Sequence, residues 1–161
     1  MSPTPVGVKV DATSTTPLHA VNDLAWVLGK AYTYVQADGA ITGDGSVCTI
    51  SNAGQAIMGD TDTAATFLEG SRVAVAECVF ADNEYGWLQV YGACGVDSEQ
   101  DALAMKKLTF TAVGGHVDDA AATGLFINGL HFQTATGGTD AVNTTGFIKW
   151  ATVEVQMEPE T

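Results

Sequence analysis

Three histidines, His19, His116 and His131, are the side chains best suited to proton transfer near neutral pH. A catalytic histidine needs a nucleophile or an acid partner, and no local pattern such as G-x-S-x-G marks one. Each therefore reads as a hydrogen-bonded structural residue. Cys48, Cys78 and Cys94 include no C-x-x-C pair. An odd number without ligand spacing argues against a disulfide framework or a zinc site. All three lie in apolar stretches and read as small buried hydrophobes, which suits synthesis in a reducing cytoplasm. Asp60-Thr61-Asp62 and Asp118-Asp119 could offer oxygens to calcium, but neither follows the EF-hand spacing with its closing glutamate. Gly114-Gly115 and Gly137-Gly138 lack a following Lys-Ser/Thr and a following helix, so they read as turn glycines. Asn143-Thr144-Thr145 matches the glycosylation triplet, a coincidence without a secretory signal. Carboxylate pairs for glycoside cleavage would need two acids to converge, and nothing selects a pair. The pattern predicts no catalytic residue, no metal ligand and no cofactor.

The aromatic residues form the group of interest. Tyr32, Tyr34, Tyr85, Trp87 and Tyr91 recur at alternate positions of two segments. Aromatics on one face of two strands can make a core, a sugar-stacking platform or a subunit interface. Tyr and Trp suit interfaces because one side chain supplies apolar area and a polar tip.

Charge narrows the partners. The chain carries 19 acids against six bases, a formal net charge of -13. The bases are Lys9, Lys30, Arg72, Lys106, Lys107 and Lys149, with no basic stripe or cluster among them. Affinity for nucleic acid comes mainly from cations that neutralise phosphates, so the composition argues against DNA or RNA binding and against docking on anionic lipid. The N-terminal Met1-Ser2-Pro3-Thr4-Pro5 has neither a basic start nor an apolar run, so no secretory signal is expected. Apolar stretches fall short of the ~18 residues of a membrane span, and a soluble protein is expected.

The elements that must carry these residues are strands. Residues 1–23 are rich in Thr, Ser and Pro, with Pro3, Pro5 and Pro17 among them, and read as an extended N-terminal arm. Two readings of the arm stay open, a free tail or a strap ordered against a neighbouring subunit. Residues 24–161 read as a single β domain. Lys30 to Ala37 alternates with period 2, Ser46 to Ile50 and Gln55 to Met58 follow after glycine-marked corners, and together they predict a β-meander. Thr61 to Glu69 could be a helical turn or a loop. Arg72 to Phe80 and Tyr85 to Tyr91, joined by Asp82-Asn83-Glu84, predict a hairpin with Tyr85, Trp87, Gln89 and Tyr91 on one face. Cys94 to Val96 follows, Ser98 with Asp101 is a weak helix-cap signal, and Leu108 to Ala112 and His116-Val117 are short strands. Leu125 to Phe132 is a strand with a bulge at Gly129. Thr134 to Thr145 reads as a long loop, and Phe147 to Gln156 as a closing strand that turns Ile148, Trp150, Thr152 and Val153 inward. About eight to ten short strands in all fit an antiparallel β-barrel or a β-sandwich, without an internal repeat.

The stretch Phe80-Ala81-Asp82-Asn83-Glu84-Tyr85-Gly86-Trp87-Leu88-Gln89-Val90-Tyr91-Gly92 is similar to an A-x(3)-YGW-x-Q-x-x-G signature of small capsid-associated proteins of tailed phages. Tyr32 to Ala37, followed by Ile41 and Gly45-Ser46-Val47, resembles the opening of such proteins, and the likeness spans roughly residues 24–115. The resemblance implies a head decoration, or cement, protein that binds the outer surface of the shell and stabilises it. It implies the major capsid protein of the same phage as partner, a homotrimeric unit, no enzymatic activity and no cofactor. It also implies a location on the virion exterior after synthesis in the bacterial cytoplasm. On this reading Tyr32, Tyr34, Tyr85, Trp87 and Tyr91 are interface residues, and the arm, through Pro3, Pro5 and Pro17, adds contacts to neighbours without joining the core. The competing reading is a tail-fibre, receptor-binding or carbohydrate-binding β-sandwich module using the loops at 81–84 and 134–145. A small hydrolase would need nucleophile and base motifs that are not present.

Overall fold

The computed structural model describes residues 8–61, 70–99, 101–119, 125–136 and 142–155. The regular elements among them are strands: β1 (Leu24–Val27), β2 (Lys30–Ala37), β3 (Val47–Ile50), β4 (Gln55–Met58), β5 (Arg72–Ala76), β6 (Tyr85–Ser98), β7 (Leu108–Phe110), β8 (Val117–Asp118), β9 (Leu125–Phe132) and β10 (Val142–Val155). The fold is all-β. The segment Thr61 to Glu69, read as a helical turn or a loop, lies almost wholly outside the described residues, and beyond the weak cap signal at Ser98 the described residues form turns at Asp101 and at Ala104-Met105.

Hydrogen-bonded neighbours close the sheet on itself twice. The first ring runs β2–β4–β3–β5–β6 and back to β2, and the second runs β6–β8–β7–β9–β10 and back to β6. The fourteen-residue β6 belongs to both. Numbered from its first strand, each ring has the order 1-3-2-4-5, with the first and third strands parallel (β2 with β4, β6 with β8). The same topology thus occurs twice, although the sequence carries no visible repeat. The β-meander expected over residues 30–58 is corrected by this closure. The β3–β4 hairpin folds back so that Gln55 and Ala56 lie parallel to Gln36 and Ala37. Alternation shows that a segment is a strand but not which strand it joins.

Ring width explains the small side chains. A closed ring of five strands has little room inside, and Ala31, Ala37, Cys48, Ala56, Ala74 and Ala76 fill it around Val35, Leu88 and Phe80. Along β5 the alternation sends Ala74 and Ala76 into the first ring and Val73 and Val75 into the second core. A strand buried on both faces reads as one apolar run, as Val73 to Ala76 does. The expected hairpin forms over Val75 and Ala76, which pair with Gln89 and Leu88. Phe80 leaves β5 and bridges Ile41 instead.

Two irregularities decide which way side chains point. In β6, Tyr32 faces Gln89 while Ala31 faces Tyr91, so Val90 is an extra residue. The bulge reverses the alternation, and Leu88 and Val90 enter the first ring while Cys94 and Val96 enter the second. Fully buried Gln89 donates Nε2 to the Tyr91 carbonyl at 3.1 Å and the Ala93 carbonyl at 2.9 Å, holding the bulge. Tyr91 therefore leaves the face it was expected to share with Tyr85, Trp87 and Gln89.

The second irregularity is in β10. Ile148 faces Leu130 and Thr152 faces Asn128, so Lys149, Trp150 and Ala151 oppose only Gly129. The surplus residues sit on β10, and the glycine opposite gives them room. Gly129 has φ 91, and a Cβ there would lie 2.7 Å from the Lys149 carbonyl. Trp150, expected inside, adopts φ 48 and turns outward, 46% exposed.

The described part of the arm lies on the chain's own body. Val8 and Val10 pack against Tyr32, Tyr34 and Trp87 on the outer face of the first ring. Asn22 N donates to the Tyr34 carbonyl at 2.8 Å. In this structure residues 8–23 help to bury an aromatic face, which corrects the expectation of an arm outside the core.

Candidate functional site

The aromatic residues divide into two groups. The first is covered. Tyr32, Tyr34 and Trp87 are 2%, 2% and 4% exposed beneath Val8, Val10, Ala25 and Val27, with Tyr85 at the margin. His19 from the arm sits edge-on to Tyr34 at 5.2 Å and to Trp87 at 5.0 Å between centroids. Leu18 N donates to the Tyr34 hydroxyl at 3.0 Å. The Thr13 hydroxyl donates to Glu84 at 2.8 Å, and that bond, after the one from Ala81 N–H, holds the Glu84 carboxyl below the usual range. Between arm and rings remains a crevice of about 170 Å³ lined by Lys9, Ser14, His19, Tyr34, Tyr85 and Trp87. Of the arm prolines, Pro17 is exposed, while Pro3 and Pro5 lie outside the described residues.

The second group is open. Trp26 of β1 is 63% exposed and meets Tyr91 at 5.6 Å and Trp150 at 6.3 Å. Tyr91 meets Phe147 at 5.5 Å, and Phe147 stacks with His131 at 6.0 Å. This band crosses β1, β6, β10 and β9 where the rings join. In register, Ala31 lies between Trp26 and Tyr91, and its small side chain lets their rings meet above it. Of the five aromatics singled out by sequence, only Tyr91 belongs to this band. The bulge in β6 and the reversal in β10 put Tyr91 and Trp150 there. Alternation alone could not show either, although Trp26 was legible as a tryptophan in a stretch without acids.

Charge is arranged around the band. The residues that carry it lie in acid-free stretches, residues 24–37, 85–96, 125–139 and 141–153. Lys149 sits opposite Tyr91 in the β10–β6 ladder. Lys30 binds Glu77, which also accepts from the Tyr32 hydroxyl at 3.0 Å. Burial first, then that carboxylate, pushes the Tyr32 phenol up. Burial, then Glu77 and Asp97, also raises the Asp44 carboxyl.

No family model, no curated protein and no solved structure matches the chain.

The remaining groups are dispersed. His116 Nδ1 lies 3.5 Å from Glu99 without hydrogen-bond geometry. Cys48 and Cys94 are buried and Cys78 is half-buried, so the reading as buried thiols holds for two of the three. Among the described residues no group of three or more His, Cys, Asp or Glu is placed to hold a metal ion. What the arrangement offers is a large aromatic contact surface on a double-ring scaffold.

Proposed function

We propose that this chain is a non-enzymatic structural protein of a virus particle, a decoration protein that binds the outer surface of a tailed-phage head. Its partner is the major capsid protein, and it acts on the virion exterior as cement against internal pressure. The observation that carries this reading is the open band of Trp26, Tyr91, Phe147 and Trp150. Interface affinity concentrates in a few aromatic anchors, and closed rings hold such anchors with little entropy left to lose. The surplus of acids fits a protein that meets the shell from outside, away from packaged DNA.

Co-sedimentation of the purified protein with heads tests the reading. Saturable binding to expanded heads and none to the precursor shell is expected. Trp150→Ala should weaken it by about tenfold or more, as loss of one aromatic anchor does. Absence of binding to mature heads would overturn the proposal. A carbohydrate-binding module is the second reading, favoured by exposed rings on which a sugar can stack. Specific binding on a glycan array without binding to heads would select it.

A further inference from the structure

β1 is the only strand with a single hydrogen-bonded neighbour among the described residues. All other strands lie within one ring or both. Such an edge presents unpaired N–H and C=O groups, and stable proteins usually blunt it with charge, proline or a bulge. Here Leu24-Ala25-Trp26-Val27-Leu28-Gly29 carries none of these. Leu24 is 58% exposed, Trp26 63% and Leu28 99%.

The hairpin fixes which backbone groups face outward. Leu28 (φ 49) and Gly29 (φ 81) form a two-residue turn with both φ angles positive. Its flanking residues Val27 and Lys30 are then a hydrogen-bonded pair, and so are Ala25 and Tyr32. Leu24 and Trp26 consequently direct their N–H and C=O groups away from β2. Leu28 is equally telling. The left-handed region disfavours a bulky residue, and asparagine is the usual choice at this turn position. A leucine there, wholly exposed, does nothing for the fold of its own chain.

We propose that β1 pairs antiparallel with β1 of a second copy of this chain across a two-fold axis at Trp26. In that register Trp26 faces Trp26 of the second copy, and Leu24 faces Leu28 of the second copy. Asp23, just before β1, falls at the ends of the contact, away from its centre. Charge favours this occupant. With a net charge of -13, two copies repel each other over most of their surfaces, and β1 belongs to the acid-free segment 24–37. A symmetric contact there is self-complementary and brings no carboxylates together at its centre. The two aromatic bands become one continuous surface. The dimer does not depend on shell binding and forms in the free protein.

Sedimentation equilibrium of the purified full chain tests this. Twice the protomer mass is expected at a concentration of about 100 μM, and the association should strengthen with ionic strength as repulsion between the copies is screened. The Leu24→Lys/Leu28→Lys variant should sediment at the protomer mass with an unchanged circular dichroism spectrum. Should that variant fail to fold, crosslinking decides. Trp26→Cys in a Cys78→Ser background, oxidised with diamide, should give a disulfide-linked dimer, because hydrogen-bonded antiparallel pairs place Cα atoms ~5.5 Å apart. Thr16→Cys in the same background should not. A protomer mass for the wild type, a trimer, an association weakened by salt, or no Trp26→Cys crosslink would each overturn the proposal.

Discussion

Ser14 and Tyr85 exchange both backbone hydrogen bonds, Ser14 N to Tyr85 O at 2.9 Å and Tyr85 N to Ser14 O at 2.8 Å. One residue of the arm thereby ties itself to the first residue of β6, beside the Thr13–Glu84 bond. The rings of Tyr34 and Trp87 close under it. The arm is held by backbone pairing as well as by apolar contact.

A chain beginning at Leu24 should therefore be less stable. Partial exposure of Tyr32, Tyr34 and Trp87 is expected to cost about 2–4 kcal/mol. In a chain of this size that lowers Tm by roughly 5–15 °C. Thermal melts of the two proteins read the difference directly, and an unchanged Tm would show that the arm contributes nothing to the body.

Gly129→Ala should be more damaging than Gly39→Ala. Both glycines have positive φ, 91 and 113, so each substitution carries the same kind of backbone strain. Only at Gly129 would the added methyl meet backbone, the Lys149 carbonyl at 2.7 Å, whereas nothing lies within 4 Å at Gly39. Expected losses are about 1 kcal/mol at Gly39 and about 3 kcal/mol at Gly129, measured by urea denaturation. Equal losses would mean that β10 can shift to absorb the contact.

Ala74→Leu should overfill the first ring. Ala74 has no exposed surface and shares its cluster with four other alanines and Cys48. A loss of about 1–3 kcal/mol is expected, against less than 1 kcal/mol for an exposed control such as Ala81→Leu. A neutral Ala74→Leu would mean that the ring has room to spare.

The thiols make stability fall in alkali. Burial raises all three above their ordinary 9.0, Cys78 to about 11, Cys94 to about 12, and Cys48, the most deeply buried, further still. Above 9.0 the unfolded chain releases these protons while the folded chain keeps them. Stability is thus whole below that value and declines as pH rises through it towards the folded values. Urea midpoints at about pH 7.5 and about pH 10 should show the decline, flattened in Cys48→Ala. Cys78, half-buried, should be the first to react with a thiol reagent and Cys48 the last.

The sequence by itself determined that the chain is made of strands, and where most of them lie. Lys30 to Ala37, Gln55 to Met58 and Leu125 to Phe132 are legible because alternation is local and each residue reports its own two faces. The doubly apolar run at Val73 to Ala76 was likewise visible as a strand. Tertiary structure alone decided the pairing, since nothing in Gln55-Ala56 announces a parallel neighbour at Gln36-Ala37. It also decided orientation beyond the bulges. One extra residue at Val90 and a surplus opposite Gly129 reverse the alternation for everything that follows. For that reason Tyr91 and Trp150 join Trp26 in the open band. Tyr32, Tyr34 and Trp87, which looked like a contact face, are covered by the arm. A period-2 pattern fixes a side chain's direction only relative to its neighbours along the strand. Where the count slips, only the closed rings can say which side is out.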